Sequence, residues 1–179
     1  MVVFEIQPIN PENYRQQTRR STLMVIATFA VLAMGLASLA VALLGEAGGD
    51  NLRLNIAGVV AGLLITIGLV RCLYWKQAWM SCAVYGWRLK RSLMSITNVM
   101  HHVTAGVQAG DPDAMKLLRF YHLGLTQMHM LDGNSASLGE VSGDIERHLE
   151  LMQVQRLETD QNQLHDDWLG AVKRFPAAR

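Results

Sequence analysis

The sequence predicts an all-α membrane protein: a two-helix transmembrane hairpin followed by a cytoplasmic three-helix, coiled-coil-like bundle. Three observations predict it. Two long apolar runs lie near the start of the chain, basic residues crowd their outer ends, and apolar side chains recur at alternating three- and four-residue spacing through much of the remainder. The composition agrees, with 50% hydrophobic and only 17% charged residues, below the roughly 25% charged of ordinary soluble proteins. A formal net charge of +1 gives no general bias toward nucleic acid.

The first helix is expected to begin at "NPEN", with Asn10 as N-cap and Pro11 at the first helical position. It runs into an uncharged stretch from Ser21 to Gly45, longer than the roughly 20 residues that span a bilayer. "AVA" at Ala40 to Ala42 resembles a signal-peptidase site. A signal-peptide core, however, is about 7 to 15 residues long, so the helix is read as retained. The second run, Leu54 to Val70, is short for a span. Its flanks extend it: Arg53 and Arg71 can snorkel, and Tyr74, Trp75 and Trp79 form an aromatic girdle. "GEAGGDN" between the runs is a polar turn. The expected domains are a cytoplasmic N-terminal segment over 1–20, a hairpin over 21–75 with spans at about 21–44 and 54–75, and a cytoplasmic helical domain over 76–179.

Orientation follows from the cations. Arg15, Arg19 and Arg20 precede the first span; Arg71, Lys76, Arg88, Lys90 and Arg91 follow the second; the turn is flanked by Arg53 alone. Both termini are therefore expected in the cytoplasm of a multi-pass protein of the bacterial inner membrane. The five cations after the second span, with no acid among them before Gly110, are also expected to attract anionic lipid headgroups. Within the spans, Gly58 and Gly62 form a GxxxG, and Ala33 and Ala37 repeat the small-residue spacing. Such positions let helix backbones approach in lipid, here closing the hairpin on itself rather than building a dimer face. Neither span contains Asp, Glu, Lys or His, which argues against a proton relay or ion pathway.

No proline interrupts Leu52 to Gly110, so the second span is expected to continue as one helix carrying the seam Trp75, Trp79, Cys82, Gly86, Leu89, Leu93, Ile96, Met100, Val103 and Val107. Gly110 should end it, and Asp111 should cap a second bundle helix with Pro112 at its first position. That helix carries Ala114, Leu118, Tyr121, Leu125 and Met128 and stops at Gly133. "SLGE", Ser137 to Glu140, reads as a capping box for a third helix. It is lined by Leu138, Val141, Ile145, Leu149 and Met152, then less strictly by Leu157, Leu164, Trp168, Val172 and Phe175, up to Pro176. The middle helix is expected to be about half the length of its neighbours, leaving part of the outer seam for another chain.

Candidate chemistry is sparse. Six histidines, His101, His102, His122, His129, His148 and His165, fall in the helical half. His122 and His129 share a face but lie roughly 10 Å apart along an axis, too far to hold one metal without another helix. The remaining expectation is surface or half-buried imidazoles and no cofactor. Cys72 and Cys82 should lie about 15 Å apart on one helix, beyond disulfide reach. No P-loop, Rossmann glycine pattern, "HExxH" or nucleophile elbow occurs, so no enzymatic activity is expected.

The opening "FEIQPINPENYRQQTRRST", an Ala- and Leu-rich span, a Gly/Asp turn, a second span and a His-containing helical tail together resemble a small family of uncharacterised two-span bacterial inner-membrane proteins, a domain of unknown function. The resemblance implies location and topology and assigns no functional residues. The expected function is a structural, adaptor or accessory subunit presenting a cytoplasmic docking surface, with the lipid bilayer and a protein partner or second copy as its partners, and no nucleic acid. The alternative is a membrane-bound sensor or regulator that uses histidines or a metal.

Overall fold

The structure is a computed structural model that describes residues 1–46 and 48–176, without the side chains of 135–138, 140 and 141. Among the described residues it is predominantly helical. Seven α-helices run in the order α1 (Pro11–Leu44), α2 (Leu52–Cys72), α3 (Ser81–Thr97), α4 (Met100–Gln108), α5 (Pro112–Asp132), α6 (Ser135–Val154) and α7 (Asp166–Ala171). Two short strands, β1 (Val2–Glu5) and β2 (Gln163–His165), accompany them. The chain divides into two compact units, one of Met1–Arg15 with Tyr85–Arg179 and one of Gln16–Val84.

Local chemistry sets several boundaries. The Asn10 side-chain oxygen accepts from the backbone N–H groups of Glu12 and Asn13 at 2.9 and 3.1 Å, which starts α1 at Pro11. Asp111 accepts from the Ala114 N–H at 3.0 Å ahead of Pro112. Gly110 and Gly133 both take φ of +73°, the left-handed closure that ends a helix and that a Cβ disfavours.

In the unit of residues 16–84, the helix expected to continue from the second span is broken. After α2 come two 3-10 turns, Tyr74–Lys76 and Ala78–Met80, separated by the extended Gln77. Contacts with α1 hold this stretch. The Tyr74 and Thr28 hydroxyls lie 3.1 Å apart, and the Ser21 hydroxyl donates to the Trp79 carbonyl at 2.6 Å. The Tyr74 and Trp79 rings pack edge to face at 5.1 Å.

The other unit differs from three long helices. A second break at Asn98 and Val99 separates α3 from α4; Thr97, Asn98 and Val99 are weak helix formers. The middle helix α5 has 21 residues against 20 for α6 and 17 for α3, so it is not half-length. It packs between α4 and α6 and therefore buries more than one face: Ala114, Met115, Leu117, Phe120, His122, Gly124 and Leu131 are buried. Of the expected stripe on this helix, only Ala114 belongs to that set. Helix α6 begins at Ser135, so Ser137 lies within its first turn and Asn134 holds the N-cap position. The side chains of Ser137, Leu138, Glu140 and Val141 lie outside the described residues. The helix ends at Val154, followed by Arg156 at φ of 56°. The polar stretch that follows leads into β2, which pairs antiparallel with β1 (Val2 opposite His165, Phe4 opposite Leu164, Glu5 opposite Gln163). The all-α expectation thus needs this correction. Phe4 and Leu164 turn their side chains into the core, where Phe4 lies 5.5 Å from the Tyr85 ring.

The seam itself is filled within this chain. Leu89, Leu93, Ile96 and Val103 are buried and Met100 half-buried. Leu89 and Leu93 pack over Gly124 of α5, where an added Cβ would come within 2.9 Å of the Leu93 Cδ2. No stretch of it is left over for another chain between Leu89 and Val103, apart from the partial exposure of Met100. Replacing Ile96, which is fully buried, by Asp is expected to place an unpaired charge in this core, at a cost of several kcal/mol. The full-length Ile96→Asp variant should lose cooperative thermal unfolding of its helical signal; a melt like the parent's would contradict the packing.

Candidate functional site

Helices α1 and α2 are long and apolar enough to cross a membrane. Only 6% and 17% of their most apolar windows are buried, whereas the apolar core helix of a water-soluble domain is mostly buried. Large side chains such as Ile26, Val31, Met34, Leu43, Leu64 and Ile67 lie exposed along them. The two helices meet through small residues. A Cβ built on Gly62 would lie 2.8 Å from both Cα and N of Ala33, and one on Gly58 would lie 2.5 Å from the Ala37 N. Thr66, one turn after Gly62, donates its hydroxyl to the Gly62 carbonyl at 2.8 Å, so its donor is satisfied within its own helix.

The five cations separate into different surroundings. Arg71 is exposed in the last turn of α2, and Lys76 is exposed in the following 3-10 turn. Arg88 is exposed on α3. Arg91 lies over the Trp87 ring, 5.2 Å from its centroid, a cation–π contact. Lys90 pairs with Asp132 of α5 at 2.9 Å, so its charge is partly committed within the protein.

Two of the histidines stand in a relation that their positions in the sequence do not predict. His122 of α5 and His148 of α6 are buried, and their rings meet edge to face with centroids 5.3 Å apart. The His148 Nε2–H donates to the Met115 carbonyl at 3.0 Å, which fixes its tautomer and leaves Nδ1 as a bare lone pair. Among the described residues, the Nδ1 atoms of both rings are buried without a hydrogen-bonding partner. Burial, then His148, then Arg119 hold the His122 pKa down, from 6.5 to about 4, against the opposing pull of Asp144. Burial and Arg119 also lower His148, while its bond to Met115 opposes them. The expectation of surface or half-buried imidazoles therefore fails for these two, which are buried. A signal was available: Ile145, His148 and Met152 follow three-four spacing, and Met115 and His122 are seven apart. His129 is half-buried and not part of the pair, His101 is exposed, and the His102 Nδ1–H donates to the Phe175 carbonyl at 2.5 Å. Among the described residues, no three His, Cys, Asp or Glu side chains converge as a metal ion would require. Cys72 and Cys82 are both free thiols.

No curated protein and no solved structure matches the chain. One family model does, described as "Protein of unknown function (DUF3087)", over residues 4–169. That match takes in the end of β1, both apolar helices, the whole run from α3 to α6, β2 and the start of α7, so the chain belongs to the DUF3087 family.

Proposed function

We propose that the protein is a two-span protein of the bacterial inner membrane, with both termini in the cytoplasm, and that it acts as an accessory or adaptor subunit. In this reading α1 and α2 anchor it, and the unit built from α3 to α7 presents a docking surface. The observation that carries the docking role is the outer face of α3. Trp87 and Met94 are 46% and 67% exposed there, two turns apart, with Arg88 and Arg91 exposed beside them. An aromatic–Met–Arg face is the composition enriched at protein interfaces, and its charge suits an acidic partner.

Photo-crosslinking in intact membranes tests this. A photoreactive residue replacing Met94 is expected to give discrete adducts that Arg91→Glu abolishes, while the same residue replacing Thr104, exposed on α4, gives none. Adducts of equal pattern from both positions, or none from either, would contradict the docking face.

A second reading, a sensor or regulator, draws support from the His122–His148 pair. Two buried imidazoles whose proton affinity is lowered by burial form a group that stays neutral in the folded state at neutral pH and charges only on strong acidification or when the surrounding packing yields.

A further inference from the structure

The unit of residues 16–84 contains an apolar groove between α1 and α2, with a cavity volume of about 460 Å³. Ile26 and Phe29 of α1 face Leu63 and Ile67 of α2 across it, and Arg71 and Trp75 line one end. The lining is almost wholly hydrocarbon, while its end carries a permanent cation and an indole. Acidic side chains are scarce in this unit: Glu46 and Asp50 sit in the turn at the other end of the spans. A groove with this polarity matches an amphiphile, apolar along its length and anionic at one end. A second copy of the chain docking in parallel would bring its own Arg71 to the same depth, where the two cations repel.

We propose that the groove holds an acyl chain of an anionic phospholipid whose phosphate is bound by Arg71. The proposal rests on α1 and α2 being membrane spans. Basic residues at the ends of transmembrane helices bind anionic headgroups by charge and hydrogen bonding, and the guanidinium can grip a phosphate with two N–H groups. Trp75 would sit at headgroup depth beside it. The groove supplies what a bare surface cation lacks: a shaped apolar wall that keeps one lipid in place.

The test uses the full chain in a neutral detergent, with phosphatidylglycerol or phosphatidylcholine of the same acyl chains added as probe. Retained lipid is read by native mass spectrometry. The parent is expected to retain phosphatidylglycerol in preference to phosphatidylcholine by about fivefold or more, the scale of one headgroup-level cation. Arg71→Gln should bring the two lipids to near parity. Arg53→Gln, at the other end of the spans, should keep the parental preference. Ile67→Trp, which fills the groove, should reduce retention of both. Equal retention of the two lipids by the parent, an unchanged preference in Arg71→Gln, or undiminished retention by Ile67→Trp would each overturn the proposal. So would efficient disulfide formation between chains carrying Leu63→Cys, which would make a second copy the occupant. Release of the parent from vesicles by alkaline carbonate would instead contradict the membrane reading on which the proposal rests.

Discussion

Acidification from pH 7.5 to pH 4.5 is expected to destabilise the protein by an amount on the order of 3 kcal/mol through His122 alone. The folded-state pKa is about 4, against about 6.5 in an unfolded chain. Between those values the unfolded state binds the proton and the folded state does not, so stability falls as pH falls. The contribution is fully present above pH 6.5 and is lost progressively toward pH 4. His148 is shifted in the same direction and adds to the slope. The groups facing His122 are His148, Arg119 and Asp144; protonation of His122 meets one cation and one carboxylate there. For a chain of this length, 3 kcal/mol corresponds to about 6 to 12 °C in melting temperature. Thermal unfolding of the full chain at pH 7.5, 6.0 and 4.5 measures it. His122→Gln removes one titrating ring and should flatten the dependence between pH 6.5 and 4.5, whatever it costs at neutral pH. Parallel pH profiles for parent and variant would show that the pair does not control acid stability.

The Gly58→Ile, Gly62→Ile double variant is expected to open the hairpin and destabilise the monomer. Both added side chains would begin inside the backbone of α1, at Ala37 and Ala33. Overpacking of a close contact typically costs about 1 to 3 kcal/mol per site, and the two sites lie one turn apart on the same face. Isoleucine is at home in lipid, so a loss can be assigned to packing rather than to insertion. The readouts are thermal stability in detergent and crosslinking between chains in native membranes. A lower melting temperature with an unchanged crosslinking pattern is the expected result. Unchanged melting with loss of a crosslinked dimer would place these glycines at an interface between chains.

Much of the fold was legible because its signals are local. Asn10–Pro11, Asp111–Pro112, Gly110 and Gly133 each act on backbone groups within a few residues. The buried set Leu89, Leu93, Ile96 and Val103 follows from period alone. The breaks at 73–80 and 98–99 carry no proline or glycine. The first is held by contacts with Ser21 and Thr28, residues some fifty positions away, which no local pattern announces. Val2, Val3 and Phe4 are residue types that favour strands, but a four-residue strand is stable only with its partner at 163–165, at the other end of the chain. The His122–His148 pair was hidden for the same reason: each imidazole belongs to a different helix, and only the packing of α5 on α6 brings them together.

The most direct measurement of the central claim, an anchored hairpin with both ends on the cytoplasmic side, is a pair of reporter fusions. A reporter active only outside the inner membrane is placed after Arg179 in one fusion and between Gly48 and Gly49 in the other. Activity is expected from the turn and none from the C-terminus, because Arg15, Arg19, Arg20, Arg71 and Lys76 flank the spans on one side and Arg53 stands alone on the other. Activity from the C-terminal fusion and none from the turn would contradict it.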